Sequence, residues 1–454
     1  MVINKRLLIW LIKAYLKKWG KVIFLSFFVG LFGFFFFIFF SKHIAHFFPQ
    51  RERVGMVGVY TLENLPLPIT QELSRGLTKV TQKGEIKPDL ASSWEIKDQG
   101  KKYIFHIRPG THFSNGREVT SNNLGYSFKD ARIETPDKYT IIFTLKDQYS
   151  PFLITVSRPI FPKGLQGLGE YTMRDVKLNG NFVTSLYLVA TENKQIQKDY
   201  TFYPNQESLK TAYLLGDATK IVGVNNTSIF NTNLSKYRNS IIEKRTNFDQ
   251  LVSIFYNTKD PVVSDNKLRK GLTYALPDNF NEGERAFLPY SSQSIYYDKE
   301  FAARTQDLAH AKLLIDAAYG SASDSAKQTL TLKTLNKYHN VAEEVVQIWK
   351  TLGVKITIED VDTKPSTFQM YLGDFSLPKD PDQYELWHSK SDHNITHFDS
   401  KRIDKLLEDG RREVNIDERI KIYNEFQKYL IDDAVIDTPA SFLYFPYNFT
   451  ITRK

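Results

Sequence analysis

Val341–Ile358 reads VAEEVVQIWKTLGVKITI. Val341, Val345, Ile348, Trp349 and Leu352 recur at three- and four-residue intervals, which lines one face of a helix with apolar groups. Gly353 follows at the place where a glycine closes a helix through a left-handed turn. VKITI (Val354–Ile358) then resumes as a β-branched strand. A helix feeding a strand through a glycine is the crossover unit of a parallel sheet, so this passage predicts an α/β fold.

Working outward, Ile403–Leu407 and Ile420–Leu430 predict two more amphipathic helices. Tyr103, Phe105 and Ile107 alternate with more polar neighbours and end at Pro109-Gly110, a half-buried strand followed by a turn. Tyr139–Leu145 (YTIIFTL) is a second β-rich run. Mixed sheets are therefore expected. Pro49–Pro68, with Gly55, Gly58, Pro66 and Pro68, is expected as a short irregular tether entering a first strand.

The chain has 454 residues, which predicts two or three domain-sized units. Apolar residues at 42% and charged residues at 24% are ordinary for a globular protein and exclude a mostly disordered chain. There is no cysteine, which removes disulfides, thiolate metal sites and cysteine nucleophiles together. The net charge of +9 is unevenly placed: residues 1–53 hold nine Lys/Arg against the single acid Glu52. The remainder is near neutral, which argues against a nucleic-acid partner.

Val22–Phe40 (VIFLSFFVGLFGFFFFIFF) is nineteen uncharged residues, ten of them phenylalanine. As a helix it spans about 28 Å, close to the ~30 Å of a bilayer's hydrocarbon core. Six positive charges precede it, so the positive-inside rule puts residues 1–21 in the cytoplasm as a basic stub, and the main body outside. A cleaved signal peptide fits less well, because the apolar run is long and SKHIAHFFPQ offers no small-x-small cleavage site. Leu7–Leu16, flanked by lysines, reads either as a separate interfacial helix or as plain leader.

Lys87–Phe128 reads KPDLASSWEIKDQGKKYIFHIRPGTHFSNGREVTSNNLGYSF. It resembles the N-terminal block of the bacterial extracellular solute-binding proteins of family 5, the oligopeptide- and dipeptide-binding receptors of ABC importers. Pro88, Leu90, Ala91, Ser93, Trp94, Arg108, Gly110, Phe113, Gly116, Thr120, Ser127 and Phe128 carry the likeness. Similar blocks follow in order at Phe255–Leu276, Tyr297–Tyr319, Val341–Ile358 and Asp380–Arg411.

The resemblance implies a two-lobed, periplasmic-binding-protein-like clam of the large peptide-binding class (type II), preceded by one transmembrane helix at 22–40 and a tether at 41–68. The first lobe would take 69–257 with an extra subdomain at about 80–165, the second 258–440, and 441–454 would return as a strand to the first. The family usually continues a few tens of residues beyond Leu443–Ile451, so a trimmed first lobe is expected. The implied partners are a peptide ligand, the permease subunits of an ABC transporter and, through 22–40, the lipid bilayer. No cofactor is implied.

Site residues follow from the same resemblance. Arg75, Gly76 and Leu77 stand where the family has a turn against the ligand backbone, with Arg75 replacing an acid. In GDFSLPKDPDQYELWHS (Gly373–Ser389), alignment on Asp380-Pro381-Asp382 places Leu377 where relatives carry the acid that pairs with the peptide α-amine. Asp380 and Asp382 are then the nearest substitutes, unless both cap the following turn. Tyr384 and Trp387 are expected either in the cleft wall or in the core.

Two rival readings start from other residues. No Gly-x-Ser-x-Gly, His-Glu-x-x-His or Walker sequence supports an enzyme. His388, His393 and His397 with Asp392 offer a handle for Ni²⁺ or Zn²⁺, but at spacings that match no tight metal motif, so no metal site is assigned. A third reading, a tethered scaffold or sensor on the same clam, predicts no closure on a guest.

Overall fold

The computed structural model describes residues 5–45, 49–162, 164–229, 232–237, 239–301, 304–320, 329–431 and 438–454. Residues 1–4 of the expected basic stub and 46–48 of the expected tether lie outside that set.

No proline interrupts Lys5–Ala45, and it forms one helix of 41 residues, about 60 Å long at ~1.5 Å per residue. Leu7–Leu16 is the first part of that helix, not a separate element. Ile12–Phe39 is long and apolar enough to cross a membrane, and none of it is buried against the protein.

The passage that predicted the fold class behaves as its residues require. The helix His339–Thr351 buries Val341, Val345 and Trp349. Gly353 takes φ +88°; its N–H donates to the Lys350 carbonyl at 3.0 Å, and the next N–H, of Val354, to Trp349 at 3.2 Å. These two bonds satisfy carbonyls that the helix end leaves open. The chain resumes as Ile356–Val361, parallel to Leu330–Leu335.

Among the described residues the principal sheet has twelve strands. Along it lie Ile356–Val361, Leu330–Leu335, Met370–Ser376, Gln250–Tyr256, Ala440–Arg453, Lys220–Val224, Gln50–Val57, Ile196–Tyr203, Phe182–Ala190 and Tyr171–Asn179, in that order. Ala440–Arg453 joins the two halves. Its first part pairs with Gln250–Tyr256, and its second part with Lys220–Val224 and Ser240–Thr246. The chain thus crosses between halves at 247–249 and again at Pro446, where Asn247 N–H donates to the Pro446 carbonyl at 2.8 Å. A separate four-stranded sheet, Ala91–Lys97, Lys102–Ile107, Thr140–Leu145 and Ala131–Asp137, sits on the first half and buries Tyr103, Phe105 and Ile107 as their alternation predicts.

Among the described residues the buried apolar side chains form five clusters, and none draws on both sides of the two crossings. The fold is a mixed α/β clam of two lobes. Two expected boundaries move. Gln250–Tyr256 already pairs in the second lobe, so the crossing precedes 257 by a strand; an apolar strand looks the same in sequence whichever lobe it joins. Gln50–Val57 is a strand of the first lobe and not tether. Gly55 marks close packing there, since a Cβ would lie 2.5 Å from Leu209 Cδ1.

Candidate functional site

The lobes face each other across two openings of different character. The inner one is a crevice at the hinge. Met370–Ser376 pairs with Gln250–Tyr256 up to Ser376, and Leu377 then donates its N–H to the Asp249 carbonyl at 2.8 Å. Lys379 pairs with Asp249. The space left between Phe248, Leu377, Lys379 and Gly84 is about 40 Å³, room for a water molecule and little more.

Behind this crevice Asp380 is 5% exposed and holds Arg419 in a two-pronged pair, at 2.9 and 2.6 Å. Burial works against the Arg419 charge, but Asp380 outweighs it and raises the arginine's pKa. Arg419 Nε also donates to the Gly410 carbonyl. Asp380 Oδ1 accepts the Asp382 N–H, and Asp382 Oδ1 accepts the Tyr384 N–H, so each acid braces the turn after it. Asp382 Oδ2 accepts from Arg411 Nε at 2.7 Å. Desolvation raises the Asp382 pKa, with Arg411 pulling the other way. Both acids therefore cap and pair within the protein, and neither presents a free oxygen pair for a ligand ammonium.

The outer opening is a groove of about 710 Å³ between the four-stranded sheet of the first lobe and the helix Lys401–Arg412 of the second. Phe128, Tyr149 and Phe152 supply apolar surface on one wall, and Tyr384 on the other. The Arg411 guanidinium stands 3.8 Å from the Tyr384 ring centroid, and the His388 ring stacks on the same tyrosine at 4.0 Å. Lys129, Asp130, Lys146 and Asp147 also line the groove. Among the described residues none of these four is in an ion pair. The lobes meet beside it through a Ser150 N–H donated to the Arg411 carbonyl at 2.7 Å, and further along through Ile295 N–H to the Lys83 carbonyl at 3.0 Å.

Of the residues singled out from sequence, the structure brings Tyr384 to the groove and sets Asp382 directly behind it. Trp387 is fully buried among Phe255 and Phe442, its Nε1 donating to Gln383 Oε1, so it is core and not cleft wall. Leu77 is likewise core, with no exposed surface. Gly76 serves its own lobe: a Cβ there would lie 2.5 Å from the Val156 carbonyl oxygen. Arg75 is exposed and pairs with Asp89 at 3.2 Å. His388 is buried and accepts the Lys390 N–H, and among the described residues no group of three potential ligands is placed to hold a metal ion.

Arg411 and Arg419 organise this region and were not read from the sequence as site residues. A signal existed for Arg419. It shares one helix face with Tyr423, Phe426 and Leu430 at intervals of four, seven and eleven, and an arginine on an apolar stripe needs a carboxylate partner.

Residues 85–396, more than half of the chain, match the family described as bacterial extracellular solute-binding proteins, family 5, middle. The chain belongs to that family. Its curated relatives include the oligopeptide-binding protein AppA of Bacillus subtilis, 24% identical over 476 residues and covering 87% of this chain and 86% of that protein. Among solved structures, the ABC transporter substrate-binding protein CtaP of Listeria monocytogenes superposes with a TM-score of 0.75 at 19% identity, covering 89% of this chain and 94% of its own. NikZ of Campylobacter jejuni, solved with Ni(L-His), superposes at 0.70 and 19% identity, with the same coverage. Proteins similar to this chain are thus named for, or solved with, guests of different chemistry, so the fold alone does not name the guest.

Proposed function

We propose that this chain is a membrane-anchored solute-binding receptor that holds a short peptide between its lobes and hands it to an ABC importer. The observation that carries the reading is the groove. Its volume of about 710 Å³ suits a small ligand, and its free charges of both signs suit a zwitterion with a polar backbone. Tyr149, Phe152 and Tyr384 give apolar surface for side chains of varied shape. The crossings at 247–249 and Pro446 are the hinge on which the lobes part and close. Ile12–Phe39 is the anchor, with the lysine-rich end of its helix in the cytoplasm. Binding makes and breaks no covalent bond, and no side chain is assigned a catalytic role.

A second reading has one observation in its favour. The hinge crevice is almost closed, and both nearby acids are engaged by arginines. A clam kept as a tethered scaffold would look like this at the hinge. Native mass spectrometry of the full chain in non-ionic detergent, with acid release of anything bound, separates the two. Co-purifying peptides, and a melting temperature raised by a peptide pool, are expected of the receptor. An empty protein indifferent to every peptide pool is expected of the scaffold.

A further inference from the structure

A second polar cavity, of about 650 Å³, lies in the first lobe away from both openings, over the start of the helix Gln206–Leu215. Lys210 lines it and is only 4% exposed. Its ammonium donates to Asn226 Oδ1 at 2.6 Å and to the Ser228 carbonyl at 2.8 Å. Both acceptors are neutral. Glu207 acts on Lys210 through space only, and burial pushes the lysine's pKa below its usual value. A buried cation with no hydrogen-bonded anion is a costly arrangement, because neutral dipoles and one through-space carboxylate return only part of the lost hydration.

One turn earlier on the same helix face, Gln206 donates Nε2 to the Gly223 carbonyl at 3.3 Å, while its Oε1 is buried without a partner. Lys236 lines the cavity as a second cation, against the one carboxylate of Glu207, with Asn225 and Asn233 beside them. The opening also sits at the positive end of the helix dipole, which favours an anion there. A lysine with a purely structural task would explain its two contacts. It would not explain why the same wall leaves an acceptor unmet and sets two lysines against the single carboxylate of Glu207 around an open space.

We propose that this cavity binds a small oxyanion, a phosphate or carboxylate group, with Lys210 and Lys236 as its counter-charges. A hydroxyl on the same molecule would serve Gln206 Oε1 once that amide turns toward the cavity. The site is independent of the guest between the lobes. It would let the first lobe respond to an anionic solute or to a phosphorylated polymer at the cell surface.

The test uses the full chain in non-ionic detergent at fixed ionic strength, with sodium chloride exchanged for inorganic phosphate, glycerol phosphate or acetate. Phosphate or acetate is expected to raise the melting temperature by about 2–5 °C over chloride at saturation. A stronger response to glycerol phosphate than to inorganic phosphate would support the hydroxyl contact and a polymer source. Lys210→Met is expected to abolish the response. Gln206→Glu, which places a carboxylate one turn from Lys210, is expected to raise the melting temperature without added anion and to weaken the anion response at least tenfold. Should Lys210→Met fail to fold, Gln206→Glu decides alone. Equal melting in all four salts, or a response that both variants retain, would overturn the proposal.

Discussion

The hinge crevice and the outer groove are built from the same two lobes, yet one is nearly shut and the other open. At the crevice every charge has a partner inside the protein: Lys379 with Asp249, Asp380 with Arg419. Along the groove Lys129, Asp130, Lys146 and Asp147 are exposed and, among the described residues, in no ion pair. Charges satisfied internally fix a surface, whereas charges left free keep it receptive. The comparison teaches that Asp380 and Asp382 are structural here, and that under the proposed function selectivity would fall to groups some distance away that lack a fixed partner.

That contrast can be broken most forcefully at Asp380. Asp380→Ala strands the Arg419 charge in the interior and is expected to cost about 3–5 kcal/mol of stability, read as a large fall in the denaturant midpoint. Replacing both residues with leucine should recover much of the loss. A midpoint unchanged by Asp380→Ala would mean that the acid is free for ligand after all.

Charge reversal in the groove should do the opposite. Lys146→Glu and Asp147→Lys are expected to shift peptide affinity by about tenfold, equivalent to ~1.4 kcal/mol, with the melting temperature unchanged. Titration calorimetry with peptides recovered from the native protein measures it. Identical affinities in both variants would move the guest elsewhere.

Arg411→Lys sits between these cases. It keeps the charge beside Asp382 but loses the flat guanidinium over Tyr384. A loss of about 1 kcal/mol is expected, shared between stability and binding.

The smallest effect concerns pH, and two acids should respond with opposite signs. Burial would raise the pKa of Asp374, but Lys337, Gln250 and Tyr338 outweigh it and hold the pKa below the usual 3.8. Its stabilisation is therefore present above about pH 3.8 and is lost as pH falls through the lower folded value. Asp382 has a raised folded pKa, so its ionisation costs stability as pH rises from 3.8 through that value. Asp374→Asn should flatten the acid limb of a stability–pH curve, and Asp382→Asn should steepen it. Two curves displaced in the same direction would contradict the assignment.

Much of the architecture was legible because its signals are local. The apolar face of Val341–Leu352 and the glycine after it lie within one passage, and so do the nineteen uncharged residues at 22–40. The clam came from ordered blocks spread over the chain, each of moderate weight alone. The site was less legible because pairing is tertiary. Asp380 and Asp382 stand out in the sequence, but Arg419 and Arg411 lie 39 and 29 residues further on, and nothing local announces that they return to the same place. Trp387 and Leu77 show the limit from the other side, since an apolar side chain reads alike whether it lines a cleft or fills a core.

The strand Ala440–Arg453 has a consequence for biogenesis. It is the last of the described strands to leave the ribosome, and it lies between Gln250–Tyr256 and Lys220–Val224. Until it arrives, the nascent polypeptide displays two open β-edges, each able to pair with a stranger. The long apolar helix emerges early and this keystone strand late, so neither lobe can complete its sheet until translation has passed Arg453.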